Sequence, residues 1–219
     1  MLRLIDRYLD PSESLLEILF GLIMALTMTA GARLLSAPED LRAGELALGL
    51  LGCNFAWAVI DAVFHVLGVV FTRNRRMLFT RRLQRAASDA EALALVRDEF
   101  GLEGEPTASG EQQAALHRSL LAFFRNARAA PARIRGDDLA AAVVIVVLVT
   151  ATALPGLIPL LTVTPTHLAL RVANGLQIAL LLVVGYRWAQ YTGTPGWRGA
   201  AIVGSLGTVL VLISVALGG

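Results

Sequence analysis

Lysine is missing from this sequence: all 19 basic residues are arginine, a choice that reflects genome composition and assigns no chemistry. Cysteine is nearly missing too. With Cys53 alone, an internal disulfide is excluded and nothing points to an oxidising compartment. There is no glycine-rich phosphate loop, no cysteine pair and no histidine cluster. Soluble-enzyme readings therefore find no support, the chain is not expected to be an enzyme, and no tightly bound cofactor is expected. A net charge of +2 is too small for a nucleic-acid partner. The N-terminus, MLRLIDRYLDPSES, is polar and amphipathic. It lacks the compact apolar core and cleavage site of a signal peptide, so the first span is expected to be retained.

What the sequence has is apolar length. It is 56% hydrophobic with a mean hydropathy of +0.65. The apolar residues gather into runs of about twenty, enough for a helix to cross roughly 30 Å of hydrocarbon. This is the pattern of an all-α integral membrane protein whose partner is the lipid bilayer. Five spans are expected, at Leu15–Leu35, Gly44–Phe71, Leu139–Leu161, His167–Tyr191 and Trp197–Leu217. The organisation is then residues 1–71, an N-terminal segment with helices 1 and 2; residues 72–138, a small helical insert; and residues 139–219, helices 3 to 5. Basic residues stay on the cytoplasmic side of a membrane. With the N-terminus inside, sixteen arginines fall there, and Arg33, Arg42 and Arg171 fall outside. The N-terminus and the insert are thus expected to be cytoplasmic and the C-terminus outside, in a bacterial cytoplasmic membrane.

The insert reads as helical. TRNRRMLFTRRLQRA continues the second span as a basic helix, and Ser88 with Glu91 has capping-box spacing. LEGEPTAS reads as a loop. Ser109 caps a further helix, on which Leu116, Leu120 and Phe123 share a face and which Pro131 ends. Asp137 is placed to cap the third span.

The second span carries polar residues that hydrocarbon tolerates poorly. Asn54, Ala58, Asp61, His65 and Gly68 recur at steps of four, three, four and three, along one side of a helix. The first span offers Glu17, Gly21, Met24 and Met28 at the same spacing. A carboxylate inside a bilayer costs a few kcal/mol even on lenient scales, roughly 2.5–3.5, and marks a pathway or a partner. Measured from the span midpoints, Met24 and Asp61 lie near the bilayer centre, and Glu17 and His65 lie roughly 10–12 Å further in. If the spans pack stripe to stripe, all four face one cavity. Carboxylate and imidazole suit iron, manganese or zinc, thioether sulfur favours softer ions, and carboxylates and histidine also carry protons. The plainer readings stand beside these. Asp61 and His65 form a bonded pair tying down two helices, Glu17 is a solvated interfacial acid, Met24 and Met28 fill gaps, and Asn54 joins helices by hydrogen bonding.

Three further features belong to packing or to a polar seam. Arg171, Asn174 and Gln177 fall on nearly one side of the fourth span, with Glu45, Glu39 or Asp40 as partners for Arg171 and snorkelling as the alternative. Pro155 and Pro159 kink the third span and free backbone carbonyls. Gly199, Gly204 and Gly207 allow close helix approach on the fifth.

Together, EILFGLIMALTMT, LGCNFAWAVIDAVFHVLG, the proline pair of ALPGLIPLL and the insert after helix 2 resemble the bacterial branch of the vacuolar iron transporter family. The resemblance covers nearly the whole chain. It implies a homodimer exchanging ferrous iron or manganese for protons, with a pathway between the first two spans. It also implies that acids of the insert collect metal, here Asp98, Glu99 and Glu103. The chain departs from the pattern in two places. GLIMALTMT lacks the family's membrane Asp-Gly pair, for which Asp61 and His65 would substitute, and the insert lacks Glu-x-x-Glu pairs. Two other functions fit the residues: an oligomeric channel ringed by Asp61 or Asn54, and a membrane scaffold whose arginine-rich helix meets anionic lipid.

Overall fold

The computed structural model describes residues 7–35, 42–101 and 109–217. Every regular element among them is a helix: α1 (Pro11–Leu35), α2 (Ala43–Gln84), α3 (Asp89–Glu99), α4 (Gly110–Asn126), α5 (Gly136–Ala151), α6 (Leu154–Thr162), α7 (Thr166–Thr192) and α8 (Gly196–Ala216). Five stretches are long and apolar enough to cross a membrane: α1, α2, α5 with α6, α7, and Gly196–Ile213 of α8. The protein is therefore an all-α multi-pass membrane protein. The chain divides into two compact units, one from Met1–Val66 and Gly136–Gly219, the other from Leu67–Arg135.

In the first unit, α7 is the central helix. Leu181 and Val184 pack with Leu22 and Leu26 of α1 and Val211 and Val215 of α8. Leu170 and Ala169 pack with Ala25 of α1, Leu50 of α2 and Leu160 of α6. Small residues set the spacing. A Cβ added to Gly199 would lie 2.5 Å from both the Gly185 carbonyl and the Ala189 methyl, so α7 and α8 touch backbone to backbone there. Helix α7 ends at Gly193, whose φ of 68° is left-handed and therefore suits glycine.

The third span is broken rather than merely kinked: α5 stops at Ala151 and α6 starts at Leu154. Pro155 sits in the first turn of α6, where its missing N–H costs nothing, and Pro159 lies inside that short helix. Helix α5 starts at Gly136, so Asp137 occupies its first turn, where a carboxylate suits the positive end of the helix dipole. Helix α2 differs from the rest. Only 11% of its most apolar window is buried, and Leu48, Phe55, Phe64 and Leu67 project outward. That surface is stable only against lipid or another apolar surface.

The second unit is built on α3, α4 and the far end of α2. Leu83, Ala92 and Val96 are its buried centre, wrapped by Phe79, Phe100, Leu120 and Phe124. The Phe100 and Phe124 rings stack 5.7 Å apart, with Phe79 edge-on to both. Ser88 accepts from the Glu91 amide while Glu91 accepts from the Ala87 amide. Ser109 and Gln112 complete a reciprocal capping box on α4. The buried face of α4 is turned by one residue from the expected stripe. His117, Leu120, Leu121 and Phe124 face inward, while Leu116 and Phe123 are 46% and 67% exposed. The ring cluster takes Phe124, and His117 follows inward because Phe100 offers its carbonyl oxygen 3.0 Å from Nε2. The helix ends at Asn126, ahead of Pro131.

Candidate functional site

Four contacts fix how α1 lies against α2. Asn54 reaches the Gly21 carbonyl, the Phe20 and Trp57 rings meet edge to face, and a Cβ on Gly49 would lie 2.6 Å from the Met28 methyl. The fourth is chemical: the side chain of Glu17 lies within hydrogen-bonding range of Asp61. The pairs 28 with 49, 21 with 54, 20 with 57 and 17 with 61 define one antiparallel register. It differs by one to two helical turns from the register expected from span midpoints, which set Met24 beside Asp61 and Glu17 beside His65. The reason is local. Gly21 has no side chain, which leaves room for Thr152 against it, and Asn54 closes onto its buried carbonyl.

The register sorts the candidate residues. Glu17 and Asp61, both half-buried, form a carboxyl pair. Glu13, which sequence reasoning passed over, lies in electrostatic range of Glu17, and its i, i+4 spacing from Glu17 was the available signal. His65 makes no bond to Asp61 and lies level with Glu13. Met24 stands about 10 Å along the helix from Glu17, too far to share a ligand with the pair. Met28 packs on Gly49 beside Leu50 and Ala25, filling a hollow. Among the described residues, no three His, Cys, Asp or Glu side chains converge as a metal-ligand set.

Next to the carboxyl pair lies a buried polar knot. Asn54 Nδ2 donates to the Gly21 carbonyl at 3.3 Å, the Val149 carbonyl at 3.4 Å and Thr152 Oγ1 at 3.1 Å. Thr152 Oγ1 donates in turn to Val149 at 2.6 Å. Val149 lies near the end of α5 and Thr152 in the break after it, so two of the three acceptors cluster where the third span is interrupted. Thr152 was not legible as a partner, having no spacing signal of its own. Farther along α1, Thr29 Oγ1 donates to Gln177 Oε1 at 2.9 Å. Gln177 and Asn174 are buried as a seam on α7, but Arg171 is exposed. Glu45, an expected partner for Arg171, instead meets Arg42 at 3.4 Å on the surface; Glu39 and Asp40 lie outside the described residues.

Two acids of the insert are matched to arginines. Glu99 accepts from Arg75 at 2.8 Å, and Asp89 pairs with Arg125. Asp98 is exposed, and Glu103 lies outside the described residues.

Five apolar helices, with a carboxyl pair within two of them and a polar knot beside it, define a multi-pass membrane protein. A sequence profile of the VIT family matches residues 72–219, about two thirds of the chain. The chain belongs to that family, the vacuolar iron transporters, and is a membrane metal-ion transporter. The match begins after both members of the carboxyl pair. No curated relative matches the chain.

Proposed function

We propose that the protein moves a divalent transition metal, Fe²⁺ or Mn²⁺, in exchange for protons, with Glu17 and Asp61 as the shared site. The observation that supports this most is the carboxyl pair itself. Two carboxylates so close repel one another unless protons or a cation lie between them. Inside a low-dielectric span the net charge of the pair has to stay near zero, because uncompensated charge there is expensive. Two protons satisfy that condition, and so does one divalent cation. The two loads are mutually exclusive, which is what an exchanger needs. Alternating access around such a site converts the exclusion into coupled transport. His65 and Glu13, next along the same faces, receive ions on the way to the pair. The metal is cargo, so two carboxylates with water completing its shell suit weak, reversible binding better than a closed cage would.

The test is flux of Fe²⁺ and of Mn²⁺ in proteoliposomes under an imposed pH gradient. Wild type is expected to move metal with protons in the opposite direction. Glu17→Gln and Asp61→Asn should each lower metal flux at least about tenfold, as losing support for a metal site does. Wild-type rates in both variants would reject the pair as the exchange site.

A further inference from the structure

The unit Leu67–Arg135 holds twelve arginines against seven acids, and three of those arginines meet in one place. Arg81 and Arg85 from the end of α2, with Arg128 from the segment after α4, line an open cleft of about 500 Å³. Gln84 and the chain at 127–130 form the rest of its wall. The wall is held firmly. Gln84 Nε2 donates to the carbonyls of Phe124 at 3.1 Å and of Ala127 at 2.8 Å, fastening the end of α4 to α2. Beneath it, Leu83 is buried against the phenylalanine cluster.

Three guanidinium groups around one cleft are unfavourable in isolation. Arg81 and Arg85 stand four residues apart on a helix, where like charges destabilise. Elsewhere in this unit two acids answer particular arginines, Glu99 with Arg75 and Asp89 with Arg125. Among the described residues no carboxylate answers Arg81, Arg85 or Arg128. Their concentration is explained by an anion that carries more than one negative charge and offers several oxygens. Guanidinium forks match phosphate oxygens two at a time, with charge-assisted hydrogen bonds stronger than neutral ones.

We propose that this cleft binds a phosphate group, supplied either by a soluble phosphate compound or by an anionic lipid headgroup. The proposal stands apart from the exchange reading, since no residue of the carboxyl pair takes part. It gives the insert a second task, recognition of an anion.

The experiment titrates inorganic pyrophosphate into the full chain by calorimetry, in nanodiscs of phosphatidylcholine and in nanodiscs containing phosphatidylglycerol. Saturable binding in both membranes identifies a soluble phosphate site. Saturable binding that disappears when phosphatidylglycerol is present identifies a headgroup site that the lipid already fills. In either case Arg85→Gln combined with Arg128→Gln should weaken binding at least about tenfold, the effect of losing hydrogen bonds to a charged group. Arg118→Gln, on the exposed side of α4, should leave it unchanged, and circular dichroism checks that each variant is folded. No saturable binding in phosphatidylcholine nanodiscs, or equal binding by the double variant and wild type, would overturn the proposal.

Discussion

Asn54 is wholly buried in a helix whose most apolar window is only 11% buried. Its amide nitrogen reaches acceptors on α1 and α5 and at the break before α6, so one side chain joins four segments. Asn54→Leu keeps the volume and removes every one of these bonds. We expect a loss of about 1 kcal/mol, the scale measured for hydrogen bonds between membrane helices. Thermal unfolding in detergent would report it. Thr152→Val should cost less, and the double variant should cost less than the sum of the two, because the groups share a network. Strict additivity would mean that they act separately. At this scale the sequence was readable in kind and misleading in depth. The stripe through Asn54, Asp61 and His65 was visible, but the pairing of Asp61 with Glu17 depends on Gly21 baring a carbonyl opposite Asn54. Periodicity within one helix carries no information about which turn of its neighbour it meets.

Among the elements, the helices follow hydropathy closely, and their ends follow capping chemistry. Ser88 and Ser109 start α3 and α4 as their spacing promised. The inward face of α4 was less legible, because Leu116, Leu120 and Phe123 form as good a stripe as the residues that are buried. The choice was made by partners outside the helix, namely Phe79 and Phe100. The glycines of the fifth span were legible as packing residues, and α7 and α8 test that reading. Gly199→Val would drive side-chain atoms into the Gly185 carbonyl and the Ala189 methyl, both backed by helix. Overpacking of this sort costs about 1–3 kcal/mol. The expected result is a lower unfolding temperature, whereas Gly175→Ala, which meets nothing within 4 Å, should leave it unchanged. A Gly199→Val protein as stable as wild type would mean that the two helices can separate without loss.

For the whole molecule, five helices among the described residues are long and apolar enough to cross a membrane, an odd number that predicts opposite faces for the start of α1 and the end of α8. The odd number follows from the helices alone, while the direction rests on charge. Arginines crowd the N-terminal segment, residues 72–138 and the short link between α7 and α8, where Arg187 and Arg198 flank the turn. Retention of basic residues on the cytoplasmic face predicts that this link and the insert lie inside. In a Cys53→Ser background, single cysteines at Ala122→Cys in α4, Thr194→Cys in the link and Ala216→Cys at the end of α8 sample the three regions. All three positions are exposed. A membrane-impermeant thiol reagent should label Ala216→Cys in right-side-out vesicles and the other two only in inverted ones. Labelling of Ala122→Cys and Thr194→Cys from outside would reverse that predicted orientation. Labelling of all three from one side would mean that the chain does not cross between Thr194 and Ala216, and α8 would lose its place as a span.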